Sequence, residues 1–236
     1  VDTSLVVNGQ TFNIDAKGVV TKAHTPGFYT TGDNNWFYAD SHGRNVTGAQ
    51  IINGQHLYFD ANGRQVKGGF VMNTDGSRSF YHWNTGDKLV STFFTTGHDR
   101  WYYADDKGNV VTGAQVINGQ KLFFATDGKQ VKGDFATNAN GSRSYYHGAT
   151  GNKLVSTFFT TGDNNWYYAD AKGELVVGEQ TINGQNLYFD QTGKQVKGAT
   201  ATNPDGSISY YDVHTGEKAI NRWVKIPSGQ WVYFNA

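Results

Sequence analysis

An aromatic ring, an amide and an ammonium group recur together at three places in this chain. The sets are Tyr58 with Gln65 and Lys67, Phe123 with Gln130 and Lys132, and Tyr188 with Gln195 and Lys197, each 65 residues after the last. Such a set suits sugar recognition. A ring can cover the C–H-rich face of a pyranose, while amide and ammonium groups bond its hydroxyls. Each hydrogen bond contributes only about 0.5–1.5 kcal/mol, so one site alone would bind weakly. Several on one chain, meeting a polymer of repeating sugars, would raise avidity by on the order of 10²–10⁴.

The elements that must position these residues are short strands. The sets lie in INGQHLYFDANGRQVKG from Ile52, INGQKLFFATDGKQVKG from Ile117 and INGQNLYFDQTGKQVKG from Ile182, with a weaker relative, VNGQTFNIDAKGVVTK, from Val7. In each, an aromatic strand runs into a turn ending in Gly. If Asp60–Gly63 is the hairpin turn, strand alternation sends Leu57, Phe59 and Val66 to the core and Tyr58, Gln65 and Lys67 to the surface. The same alternation also fits a plainer arrangement, with the rings packed on the next hairpin and Gln and Lys merely solvated. In the opening relative, Asn13, Val20 and Lys22 hold the matching positions; lacking ring and amide, that site is expected not to function.

Repetition sets the architecture. Trp36, Trp101, Trp166 and Trp231 stand 65 residues apart, and each 65-residue block holds three similar units of 21–23 residues. They are a Trp unit, a QVK unit and a Gly-Ser unit (GSRSFYHWNTGDKLV from Gly76). The fold expected is all-β: a β-solenoid of about ten consecutive hairpins, since a lone hairpin is marginal in water and must stack to bury its rings. We expect a single repeat domain over 1–236: partial repeats at 7–35, full super-repeats at 36–100, 101–165 and 166–230, and a truncated repeat at 231–236.

Bulk composition excludes several classes. With 20 basic and 20 acidic residues spread evenly, no basic face awaits nucleic acid. Cysteine is absent, which removes disulfides and thiolate metal sites. No apolar run approaches the roughly 18 residues of a membrane span. The seven His residues show no metal spacing, and Asp40, Asp60, Asp105, Asp170 and Asp190 recur at turn starts, where Asp caps the backbone. Neither a metal nor a cofactor is expected, although Asp/Asn-Gly turns leave calcium open. The paired carboxylates of a glycosidase are not evident. The chain begins mid-pattern at Val1 and reads as a segment of a longer protein.

At INGQHLYFDANGRQVKG and WYYADDKGNVVTGAQ the sequence resembles the glucan-binding repeats of glucansucrases, the dextransucrase-type enzymes of lactic acid bacteria and oral streptococci. The resemblance covers about Val7 to Phe234. It implies a non-catalytic module that holds α-glucan or isomalto-oligosaccharides in several weak pockets. The parent would be a secreted glucosyltransferase acting on sucrose outside a Gram-positive cell or on its wall, and the chain itself is expected to be a monomer. It also implies pockets lined by a Tyr and a Gln-x-Lys pair, hence Tyr58, Gln65, Lys67; Gln130, Lys132; and Tyr188, Gln195, Lys197. Phe123 replaces the Tyr in the second copy and loses a hydroxyl. Tyr81, Tyr146 and Tyr211 could close a wall. The alternatives are a choline-binding module for cell-wall teichoic acid, toxin-type host-glycan repeats, a structural spacer, and an enzyme.

Overall fold

The computed structural model describes residues 3–32, 35–163, 165–226 and 228–235. Val1 and the residues at which two Trp units open, Asn34 and Asn164, lie outside the described residues. The described residues form antiparallel strands and no helix. They make one three-stranded sheet (Thr3–Val7, Gln10–Ile14, Val20–Lys22) and ten two-stranded hairpins. The chain divides into two compact units, Val1–Val111 and Thr112–Ala236.

In the first unit the opening sheet precedes hairpins Gly27–Thr30/Trp36–Ala39, Gly48–Ile52/Gln55–Phe59, Gly69–Met72/Arg78–Tyr81 and Thr92–Thr95/Trp101–Ala104. One main-chain bond ties each later hairpin to its predecessor. The residue after the turn donates to a carbonyl near the start of the preceding aromatic strand, on its first residue in the Trp and Gly-Ser hairpins and on its second in the QVK hairpins: Gln65 N to Trp36 O (2.7 Å), Lys88 N to His56 O (2.9 Å), Val110 N to Arg78 O (2.7 Å). The second unit repeats the rule with Lys153 to Lys121, Leu175 to Arg143, Gln195 to Trp166 and Lys218 to Asn186. Within each unit the hairpins therefore stack in chain order, as in a solenoid.

The inward side chains are those that alternation picks out. Leu57, Leu122 and Leu187 are 1% exposed and Phe59, Phe124 and Phe189 0%. Ile52, Leu57 and Phe59 cluster beneath Tyr38 and Val46 of the preceding Trp unit; Ile182, Leu187 and Phe189 cluster beneath Phe158, Tyr168 and Val176. Each buried Leu or Phe contributes about 1.5–3 kcal/mol, and each cluster draws on two hairpins.

Two expectations change. The tight turn of the QVK hairpin is Asn53-Gly54, not Asp60–Gly63. Both residues have positive φ (53° and 80°), the backbone of a two-residue type I′ turn, and it pairs Ile52 with Gln55. Asp60–Gly63 instead folds the exit segment back, with Asp60 Oδ1 accepting from the Asn62 and Arg64 amides. That turn is one residue longer than alternation assumed. Phe59 therefore faces Gln65, and Tyr58 lies opposite Val66. The one-residue shift sends Gln65 to the Phe59 side, inverting its expected face.

Candidate functional site

Gln65 is the pivot of a cleft of about 310 Å³ lined by Asn35, Trp36, Asp60, Arg64, Gln65, Val66 and Lys67. Its counterpart in the second unit, about 380 Å³, is lined by Asn165, Trp166, Asp190, Lys194, Gln195, Val196, Lys197 and Ala199. The ring in each cleft comes from the preceding Trp unit. Lys67 Nζ stands 5.0 Å from the Trp36 ring centre and Lys197 Nζ 4.9 Å from that of Trp166, which is 40% exposed. The bond from Gln65 N to Trp36 O locks the strand carrying the ring to the one carrying the amide and ammonium.

The polar groups are held rather than free-swinging. Gln65, Gln130 and Gln195 are 8%, 6% and 6% exposed. Gln65 Nε2 donates to Thr85 O (3.1 Å) and Gln195 Nε2 to Thr215 O (3.3 Å), both on the following Gly-Ser hairpin. Lys197 Nζ also reaches His214 O (3.3 Å). Burial holds the Lys67 and Lys197 ammonium groups below the ordinary lysine range. Asp60 and Asp190 line the clefts but are already engaged. Burial pushes their carboxyls up, but hydrogen bonds within their own turns outweigh it and leave both below the usual carboxylate range. Ionised and tied to the backbone, they are poorly placed for proton transfer.

Tyr58, Phe123 and Tyr188 occupy a different place from the one alternation assigned. They are half-buried, and their rings pack against those of Tyr81, Tyr146 and Tyr211 with centroids 5.9, 5.7 and 5.5 Å apart. Those partners are 3%, 1% and 0% exposed, so none turns a ring face toward solvent. Burial raises the Tyr81 and Tyr146 phenols and pushes that of Tyr211 up to about 12. The structure thus joins Gln and Lys but parts them from the ring of their own hairpin unit. The rings that face them, Trp36 and Trp166, are not among the residues alternation selects; each stands 29 residues before its Gln, on a separate hairpin.

Comparison with known proteins agrees with this architecture. Choline binding protein F of Streptococcus pneumoniae superposes with a TM-score of 0.63 over 98% of this chain and 92% of that one, at 18% identity. The choline-binding domain of CbpL from the same species gives 0.59 over 81% and 94%, at 20% identity; both speak to fold alone. Glucosyltransferase-I of Streptococcus mutans is 46% identical over 190 residues, 80% of this chain and 13% of that protein. Glucosyltransferase-I of Streptococcus downei is 35% identical over 91% of this chain and 16% of its own length. The chain thus spans only 13 to 16% of these curated relatives. A cell wall binding repeat pattern matches residues 91–110 and 156–175. The choline-binding repeat matches 46–93, 111–158 and 176–223, more than half of the chain. By that match, the chain belongs to the choline-binding repeat family.

Proposed function

We propose that this chain is a glucan-binding segment of a secreted glucosyltransferase, itself non-catalytic, that grips α-glucan chains at several weak sites outside the cell or at its wall. The carrying observation is the convergence of Trp36 on Gln65 and Lys67, repeated by Trp166 on Gln195 and Lys197. Relatedness to streptococcal glucosyltransferases supports it. A cleft of 310–380 Å³, open on one side, is of a size for one or two hexoses. Gln130 and Lys132 complete the repeated pair. Tyr58, Phe123 and Tyr188 act as supports behind it. Each cleft described lies within one compact unit, so a monomer suffices.

The family match favours one second reading, choline on teichoic acid. A choline cage surrounds a quaternary ammonium with rings and excludes competing cations. Here the cleft supplies its own cation, 5.0 Å from the centre of the one ring it presents. That ammonium repels choline and suits hydroxyls. Affinity electrophoresis in a dextran-containing gel decides the matter. Retardation reversed by isomalto-oligosaccharides and lost in a Gln65/Gln130/Gln195 triple alanine variant is expected. Elution by choline, or mobility indifferent to dextran, would reject the proposal.

A further inference from the structure

We propose that the Thr-Gly turn after each QVK hairpin belongs to the saccharide site, with Gly86 and Gly216 as positioning residues for Gln65 and Gln195. The inference rests on the function proposed above and adds to the site residues from a third hairpin. Thr85 and Thr215 present carbonyls, which only accept, so the amide atom facing each must be Nε2. The amide oxygen is thereby turned the other way. Among the described residues it takes no bond from the protein, yet it is not sealed off. Each cleft then offers one acceptor, Gln Oε1, beside one donor, Lys Nζ. That pair reads two neighbouring hydroxyls of a neutral sugar, one giving and one receiving a proton.

The glycines make this orientation possible. A Cβ on Gly86 would overlap Gln65 Nε2 and stand 3.2 Å from Lys67 Cγ. On Gly216 it would overlap Gln195 Nε2 and stand 3.1 Å from Lys197 Cγ, and Gly151 bears the same relation to Gln130 and Lys132. Thr-Gly stands in all three Gly-Ser turns, while the two residues before it change from Trp83-Asn84 to Gly148-Ala149 to Val213-His214. The opening unit shows the opposite case. No Gly-Ser hairpin follows it, and the next turn glycine, Gly43, abuts the backbone of His24 instead of an amide side chain.

The test is a titration of the chain with isomaltotriose, followed by NMR at the Trp36 and Trp166 indole N–H groups separately. Gly86→Ala should weaken binding at Trp36 about tenfold and leave Trp166 unchanged; Gly216→Ala should do the reverse. Gly108→Ala and Gly173→Ala are controls. Their φ of 77° imposes the same kind of backbone strain, but their new methyls press on the Lys88 side chain and Leu89 carbonyl and on the Leu154 carbonyl and Lys153 side chain, none of which lines either cleft, so both sites should hold. Should Gly86→Ala misfold, Gly86→Asn keeps the added Cβ in a residue that tolerates positive φ, and the same selective loss is expected. Binding at Trp36 unaltered by either substitution, while Gln65→Ala abolishes it, overturns the role of the turn and spares the site. Binding unaltered by Gln65→Ala as well overturns the site itself.

Discussion

The junction of a QVK hairpin with the Trp hairpin before it and the junction of a Gly-Ser hairpin with the QVK hairpin before it share one backbone plan and differ in chemistry. In the second unit, Gln195 N bonds Trp166 O at the first and Lys218 N bonds Asn186 O at the second. Both have a cleft, and the second is the larger, about 480 Å³ against 380 Å³. It is lined by Glu179, Gln180, Thr181, Asn186, Lys218 and Ile220, and its lysine is spent on Glu179 in a 2.8 Å ion pair. No ring lines it. Volume therefore does not make the site. What matters is which residues occupy three fixed positions of a common frame: the strand residue whose carbonyl accepts (Trp166 or Asn186), the bridge that donates to it (Gln195 or Lys218) and the residue two beyond (Lys197 or Ile220).

The largest effect should strike both junctions alike. Phe189→Ala empties a fully buried position shared by adjoining hairpins and should cost about 3–5 kcal/mol in urea unfolding. Trp36→Ala combined with Trp166→Ala should reduce dextran affinity by on the order of tenfold or more at the QVK clefts. His56→Ala with Asn186→Ala, the same position at the other junction, should leave retention unchanged; equal losses would erase the distinction. Building the missing chemistry is a finer trial. His56→Trp, Lys88→Gln and Val90→Lys together should add one weak isomaltotriose site, visible as increased stoichiometry in calorimetry.

The smallest effect is a pH dependence. Burial disfavours the charged form of Lys67 and Lys197, so each loses its proton below the ordinary value of 10.5. Dextran affinity should fall as pH rises through those lowered values. Stability should move oppositely, gaining between the folded value and 10.5, because the native state holds fewer protons there. Affinity flat to pH 10.5 would remove the ammonium from the contact.

Much of this frame is legible in the residues. The 65-residue period, the three unit types, the buried Leu57 and Phe59 and the pairing of Gln65 with Lys67 all follow from repetition and alternation. The partner of that pair does not, because alternation can only compare residues on the same hairpin. Trp36 meets Lys67 through stacking of separate hairpins, which local pattern does not encode. The register slipped for a local reason. Asp60 caps two amides and lengthens its turn by one residue, enough to exchange the faces of Gln65 and Val66. Asn53-Gly54 is the clearer hairpin signal of the two, since both of its residues take the positive φ of a two-residue turn.

One consequence of the three-hairpin cleft concerns how such chains change length. Ring, amide and glycine lie at offsets of −29, 0 and +21 from the glutamine, a span shorter than the 65-residue period. Unequal crossing-over between copies in phase would insert or delete a whole period wherever the break falls, and every grip on either side would be reconstituted intact. The number of grips could then drift between lineages with no step at which a half-made one must be tolerated.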